Sequence, residues 1–260
     1  MSATNNTTEE NILFSKKSYI ELFSWLIWSI ANNQHGKIKV QNFVKYVLSL
    51  FFYHFISENL ICYINKYEQK VDRSLNYTRL SDQAAEQLLE VTIKNKGFFI
   101  LPSELFYNIR LQIHNDFYFR IPEEYFTDIQ TRSKKTTPQL NYGEEITNNL
   151  KNIYSRFSLS NEKLYQKYLF FSVDFNSPEL GKTVKQRNKK LAKIMDRIDS
   201  LPIYNFIDDV VDFRIEEILE ILVQIYVAVN RYMENRLLVT KKQTQALAKN
   251  LRKKYRLWPI

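Results

Sequence analysis

The densest run of a single chemistry in this sequence lies between residues 182 and 193. Lys182, Lys185, Arg187, Lys189, Lys190 and Lys193 occur there with no acidic residue among them. Such a run suits a helix that neutralises nucleic-acid backbone phosphates, one per cation, without reading bases. It equally describes a solvated basic helix face. Spacing divides the members. Val184, Leu191, Met195 and Ile198 form an apolar helical stripe, and Arg187 and Asn188 fall on it where Leu or Ile would fit. Polar groups turned inward need partners, so this pair is expected to meet another subunit or to cap a neighbouring helix. Lys182, Lys185, Arg187, Asn188, Lys189, Lys190 and Lys193 are therefore the candidate nucleic-acid or partner contacts.

The other reactive residue types form no such pattern. His35, His54 and His114 lack metal-ligand spacing, and Glu58, Glu104 and Asp116 suggest no paired-carboxylate geometry. Cys62 is the only cysteine, which excludes a disulfide framework and a cysteine-based zinc site, and its apolar neighbours point to a buried, inert thiol. The four glycines, Gly36, Gly97, Gly143 and Gly181, are too far apart for a dinucleotide-binding turn or a phosphate-binding loop. No catalytic, cofactor-binding or metal-binding residue is expected.

Charge has to be located before it is interpreted. The 260 residues carry a formal net charge of +9. From residue 231 on there are nine basic residues and one acid, Glu234, so eight of those charges sit in the last 30 residues. The body is nearly neutral, and the high pI says little about whether it grips nucleic acid. An apolar fraction of 45% excludes a disordered chain. The polar N-terminus lacks the features of a signal peptide, and the apolar run Val47–Ile56 is half of what a bilayer requires. These features predict a cytoplasmic protein with no membrane partner.

Helical periodicity dominates the elements that must position the basic run. Leu22, Phe23, Leu26, Ile27 and Ile30 make one stripe, ended by Asn32 to Gly36. A second helix over Val40 to about Tyr67 is apolar nearly all round in its middle, as a central helix would be. Ser81 is expected to cap a helix that stops at Gly97, followed by an extended segment Phe98–Pro102. The apolar stretch Phe98 to Phe106 is expected to anchor the core, with a subunit contact as the alternative. Ile146, Leu150 and Ile153 mark another helix. Thr183 with Gln186 reads as a capping box opening a helix to about Ser200, and a last helix is predicted over roughly Phe206–Asn235. The fold class is mainly α, a helical bundle-like domain with short extended segments and no Rossmann-like domain. The expected organisation is a disordered stretch over 1–17, a helical domain over 18–230 with a flexible loop at about 128–143, and a basic tail over 231–260.

Several stretches, in order, resemble one family. They are Leu26-Ile27-Trp28-Ser29-Ile30-Ala31-Asn32, Phe43 to Leu48, Phe52-Tyr53-His54-Phe55-Ile56-Ser57-Glu58-Asn59, Gly97 to Phe106, and Asp174 to Val184 followed by Arg187-Asn188-Lys189-Lys190-Leu191. Together they are similar to the N-terminal helical domain of the modification subunits of type I restriction-modification systems, which are N6-adenine DNA methyltransferases. The resemblance implies a helical domain followed by a catalytic domain that binds S-adenosylmethionine, and an assembly with DNA, a specificity subunit and other modification or restriction subunits. The catalytic domain of that family needs a glycine-rich turn. It also needs an Asn/Asp-Pro-Pro-aromatic motif that holds the flipped adenine. The sequence has neither clustered glycines nor a Pro-Pro pair. The expectation is therefore a truncated, non-catalytic DNA- or subunit-interaction domain with no cofactor of its own. The alternative is one half of a split N6-adenine methyltransferase, and a relic of a disrupted gene is a third reading.

Overall fold

The longest apolar stretch of the sequence becomes the axis of the molecule. The computed structural model describes residues 20–33, 36, 38–70, 72–118, 140–158 and 173–255, and the side chains of all of these except 41, 116–118 and 236–255. Helix α1 spans 20–33, and α2 follows as Val40–Glu68. Between Phe43 and Leu60 most of α2 is closed to solvent, on several sides at once, because no glycine, proline or run of charge interrupts it. By length and composition α2 could cross a membrane, but here 83% of its most apolar window is covered by protein. The cover comes from α5 (Phe106–Tyr118), α7 (Val184–Asp199), α8 (Tyr204–Asp209) and α9 (Ile215–Tyr255). Phe23 of α1 meets Phe51 at 5.5 Å and Phe206 at 5.6 Å, and Phe55 meets Phe206 at 5.7 Å, so aromatic rings join α1, α2 and α8.

The few polar groups inside α2 hold the irregular segments in place. Asn59 donates from Nδ2 to the Val210 carbonyl at 2.9 Å, Ser57 Oγ accepts from the Phe106 amide at 3.2 Å, and Tyr53 donates its hydroxyl to the Glu104 carbonyl. Each buried bond satisfies a backbone group that the helices leave over. Lys96, fully buried, donates to the carbonyls of Val211 (2.7 Å) and Phe213. Burial pushes its ammonium down to about 7.

Between α2 and α5 lie α3 (Asp82–Ala85) and α4 (Leu89–Lys96), separated by a 3-10 turn over Glu86–Leu88. Ser81 caps α3, accepting from the Ala84 amide at 3.2 Å, and Gly97 ends α4 at φ 78°. A side chain at position 97 would be strained by that φ and would also press its Cβ to 2.7 Å from Ile215. The segment Phe98–Leu101 forms no regular element and is extended at Leu101, with Phe98, Phe99 and Ile100 fully buried, so it anchors the core. Helix α6 (Tyr142–Ser155) buries Ile146, Leu150 and Ile153.

Among the described residues there is no strand, so the mainly α class holds. Three details differ from the periodicity. The helix predicted over Phe206–Asn235 is two helices, α8 and α9, broken over Val210–Arg214, and α9 runs on to Tyr255, which puts most of the basic tail in a helix. The helix between Ser81 and Gly97 carries a 3-10 interruption. Tyr142 and Gly143, placed in a loop, already belong to α6. The stretch 1–17 and residues 128–139 of that loop lie outside the described residues.

Candidate nucleic-acid interface

Helix α7 displays the basic run, and its geometry follows from how it starts. Thr183 Oγ1 accepts from the Gln186 amide at 3.2 Å. The Gln186 side chain reaches back to the Lys182 amide at 3.0 Å, one residue beyond a standard capping box. From this start Leu191, Ile194, Met195 and Ile198 turn to the core, and the opposite face carries the cations.

The seven candidate residues separate into three groups. Lys182, Lys185, Lys189 and Lys193 are exposed. At about 1.5 Å rise per residue, Lys185, Lys189 and Lys193 recur roughly every 6 Å along one face. Arg197, also exposed, continues the series by the same four-residue step. Arg197 lies outside the acid-free window of the sequence, and only the i, i+4 repeat could have added it. Lys190 is half-buried, with Nζ 4.7 Å from the Phe43 ring centroid, and burial lowers its ammonium. It helps hold α7 to α2.

Arg187 and Asn188 are inside, as their place on the stripe requires. Asn188 is 1% exposed and donates to the Leu140 carbonyl at 2.8 Å, tying α7 to the segment entering α6. Arg187 is 9% exposed and donates from Nη1 to the Gly181 carbonyl at 3.0 Å. Both bonds stay within the chain, so the inward pair serves neighbouring backbone. Asn188 Oδ1 and Arg187 Nε find no partner.

A second cluster fastens the other end of α7. Arg110 of α5 bridges Asp196 (3.0 Å) and Asp199 (3.2 Å), and His114 Nε2 lies 2.6 Å from Asp196. Beside it, on α2, sit two ionisable groups with little support. His54 is 1% exposed, packs on Phe106 with centroids 4.7 Å apart, and has no hydrogen-bond partner at either ring nitrogen. Burial, helped by Arg110, pushes it down to about 3. Glu58 lies 4.0 Å from His54, and burial with the nearby Asp199 charge pushes its carboxyl up to about 7. Glu104 sits apart from this cluster, paired with Arg156. Cys62, half-buried, is pushed up to about 11 by burial, which makes its thiol a poor nucleophile. Among the described residues no group of three or more His, Cys, Asp or Glu side chains could hold a metal ion.

Most of this region is similar to known proteins. A family model described as the HsdM N-terminal domain matches residues 25–198, which takes in the core of α2 and nearly all of α7. The chain is also 30% identical over 194 residues to the type I restriction enzyme MpnII methylase subunit of Mycoplasma pneumoniae, an alignment covering 72% of this chain and 31% of that protein. The chain thus spans about a third of that relative's length. No solved structure matches it.

Proposed function

The chain belongs to the HsdM N-terminal domain family, and we propose that it acts as a non-catalytic helical module that grips the DNA backbone and joins the other subunits of a type I restriction-modification enzyme. The observation that carries the DNA half of this reading is the outward row Lys185, Lys189, Lys193 and Arg197, on a helix whose opposite face is locked into the core. Cations so placed neutralise phosphates and leave base sequence unread. Under this reading target choice falls to a specificity subunit, and the module supplies grip.

The family's methyl donor, S-adenosylmethionine, does not fit the described residues. A methyl-donor cradle needs glycines clustered at the end of a strand, and here each glycine lies alone. A Cβ on Gly143 would come within 2.3 Å of the Phe175 carbonyl oxygen, and one on Gly181 within 2.7 Å of Gln186 Cβ, so both serve close packing. No methyl-transfer step is assigned to them.

The test is a salt titration of duplex binding by the intact chain, by Lys185→Gln/Lys189→Gln/Lys193→Gln, and by a form ending after residue 235. That end point keeps Met233, which is buried, and Tyr232, which packs on Trp28 at 5.1 Å. The logarithmic salt slope should shrink by about 0.9 for each phosphate that the triple variant no longer neutralises. It should persist in the shortened form. A slope that vanishes with residues 236–260 and ignores the three lysines would sink the reading. Labelled DNA from this chain plus S-adenosylmethionine alone would sink the non-catalytic part.

A further inference from the structure

Arg187 is a buried cation of α7 whose charge the packing does not balance. The residue is nine-tenths buried, yet no carboxylate lies within ion-pair distance of its guanidinium among the described residues, and its single bond goes to the Gly181 carbonyl. A buried cation without a counter-charge is costly. Its position raises that cost, because the N-terminal end of a 16-residue helix is itself a region of positive potential. No acid occupies the first turn to offset either charge. Nη1 is bonded and Nε is enclosed, so Nη2 is the nitrogen that reaches the surface.

The backbone at the same place is also unsatisfied. The cap uses the amides of Gln186 and Lys182, and the Arg187 amide bonds to the Thr183 carbonyl at 3.0 Å. The amides of Val184 and Lys185 are left without an acceptor. Free first-turn amides, a helix dipole and an uncompensated guanidinium all favour the same kind of ligand, an anion.

We infer that the start of α7 is a phosphate seat, where one nucleic-acid backbone phosphate docks on the outer edge of Arg187 and on the Val184 and Lys185 amides, flanked by Lys182 and Lys185. The inference rests on the DNA-contact reading above and gives that contact a fixed point. A polyanion is favoured over a lone carboxylate because the row of exposed cations continues from the seat along the helix. A strand whose phosphate is held at Val184 can meet Lys189, Lys193 and Arg197 in turn.

The test follows the backbone amide resonances of Val184 and Lys185 in the full chain, titrated with inorganic phosphate and, separately, with a short DNA duplex. Both amides should shift with both probes, and Arg187→Met should weaken the phosphate response at least tenfold, with Arg187→Lys recovering only part of it. Duplex binding with both amides silent overturns the seat and leaves the DNA reading standing. Shifts with phosphate but no binding of duplex overturn the nucleic-acid occupant and the DNA reading together. The wild-type titrations decide even if a variant fails to fold.

Discussion

Helices α2 and α7 pack against each other and solve opposite problems with the same device. In α2 almost every residue of the middle is apolar and enclosed, and three of its polar side chains, Tyr53, Ser57 and Asn59, bond to backbone of neighbouring segments at or beyond helix ends. In α7 half the surface is cationic, and its two buried polar residues likewise bond to backbone carbonyls, those of Gly181 and Leu140. These five buried polar residues therefore act as clamps on chain at or beyond helix ends. The difference lies in charge: the clamps of α2 are neutral, while Arg187 brings a charge that the core does not balance. One helix keeps only neutral unsatisfied groups inside, and the other keeps a charge with capacity for an anion.

The comparison predicts that stability resides in α2. Phe51 is fully buried and meets Phe23, Phe52 and Phe55, so Phe51→Ala should cost about 3–5 kcal/mol. Urea unfolding checks this. A loss near that of a surface substitution, within about 0.5 kcal/mol, would show that α2 is not the axis of the core.

The next effect concerns the weak point of α2, where His54 and Glu58 lie buried side by side. Glu58 rises from about 4.5 in the unfolded chain to about 7, so the stability tied to its neutral form is fully present below pH 4.5 and is lost as pH climbs to 7. His54 falls from about 6.5 to about 3, so its contribution is present above pH 6.5 and is lost as pH drops toward 3. Between pH 4.5 and 6.5 the two slopes oppose each other and flatten the profile. Glu58→Gln removes only the first. The variant should match the parent near pH 4 and exceed its stability by roughly 3 kcal/mol above pH 7, since each pH unit between the two Glu58 values is worth about 1.4 kcal/mol. A stability difference that stays constant from pH 4 to 8 would mean that Glu58 is well solvated.

These contrasts also explain what could be read from the sequence. The periodicity of α2, the caps at Ser81, Gly97 and Thr183, and the inward place of Arg187 and Asn188 depend on neighbours three or four residues away, so they were legible. The break over Val210–Arg214 was not. It contains no glycine or proline, and it exists because Asn59 and Lys96, more than 100 residues away, take the carbonyls a continuous helix would have used. The inward pair shows the same limit: spacing predicted that Arg187 and Asn188 need partners, while the identity of those partners, the Gly181 and Leu140 carbonyls, is tertiary. The seclusion of Lys190 under Phe43 was hidden for that reason too.

The smallest effect tests whether the start of α7 is organised by its cap or by its ligand. Thr183 Oγ1 satisfies a single amide, that of Gln186, and such a cap is worth about 1 kcal/mol. Thr183→Ala should lower stability by that amount, and Thr183→Ser should restore it. The Val184 and Lys185 amides, which the cap does not use, remain free in either variant. Added inorganic phosphate binds the folded chain, so it should stabilise parent and variant in parallel, by mass action. If phosphate recovers the lost stability in Thr183→Ala but does nothing for the parent, the anion is replacing the cap, and the contrast between the neutral clamps of α2 and the charged one of α7 fails.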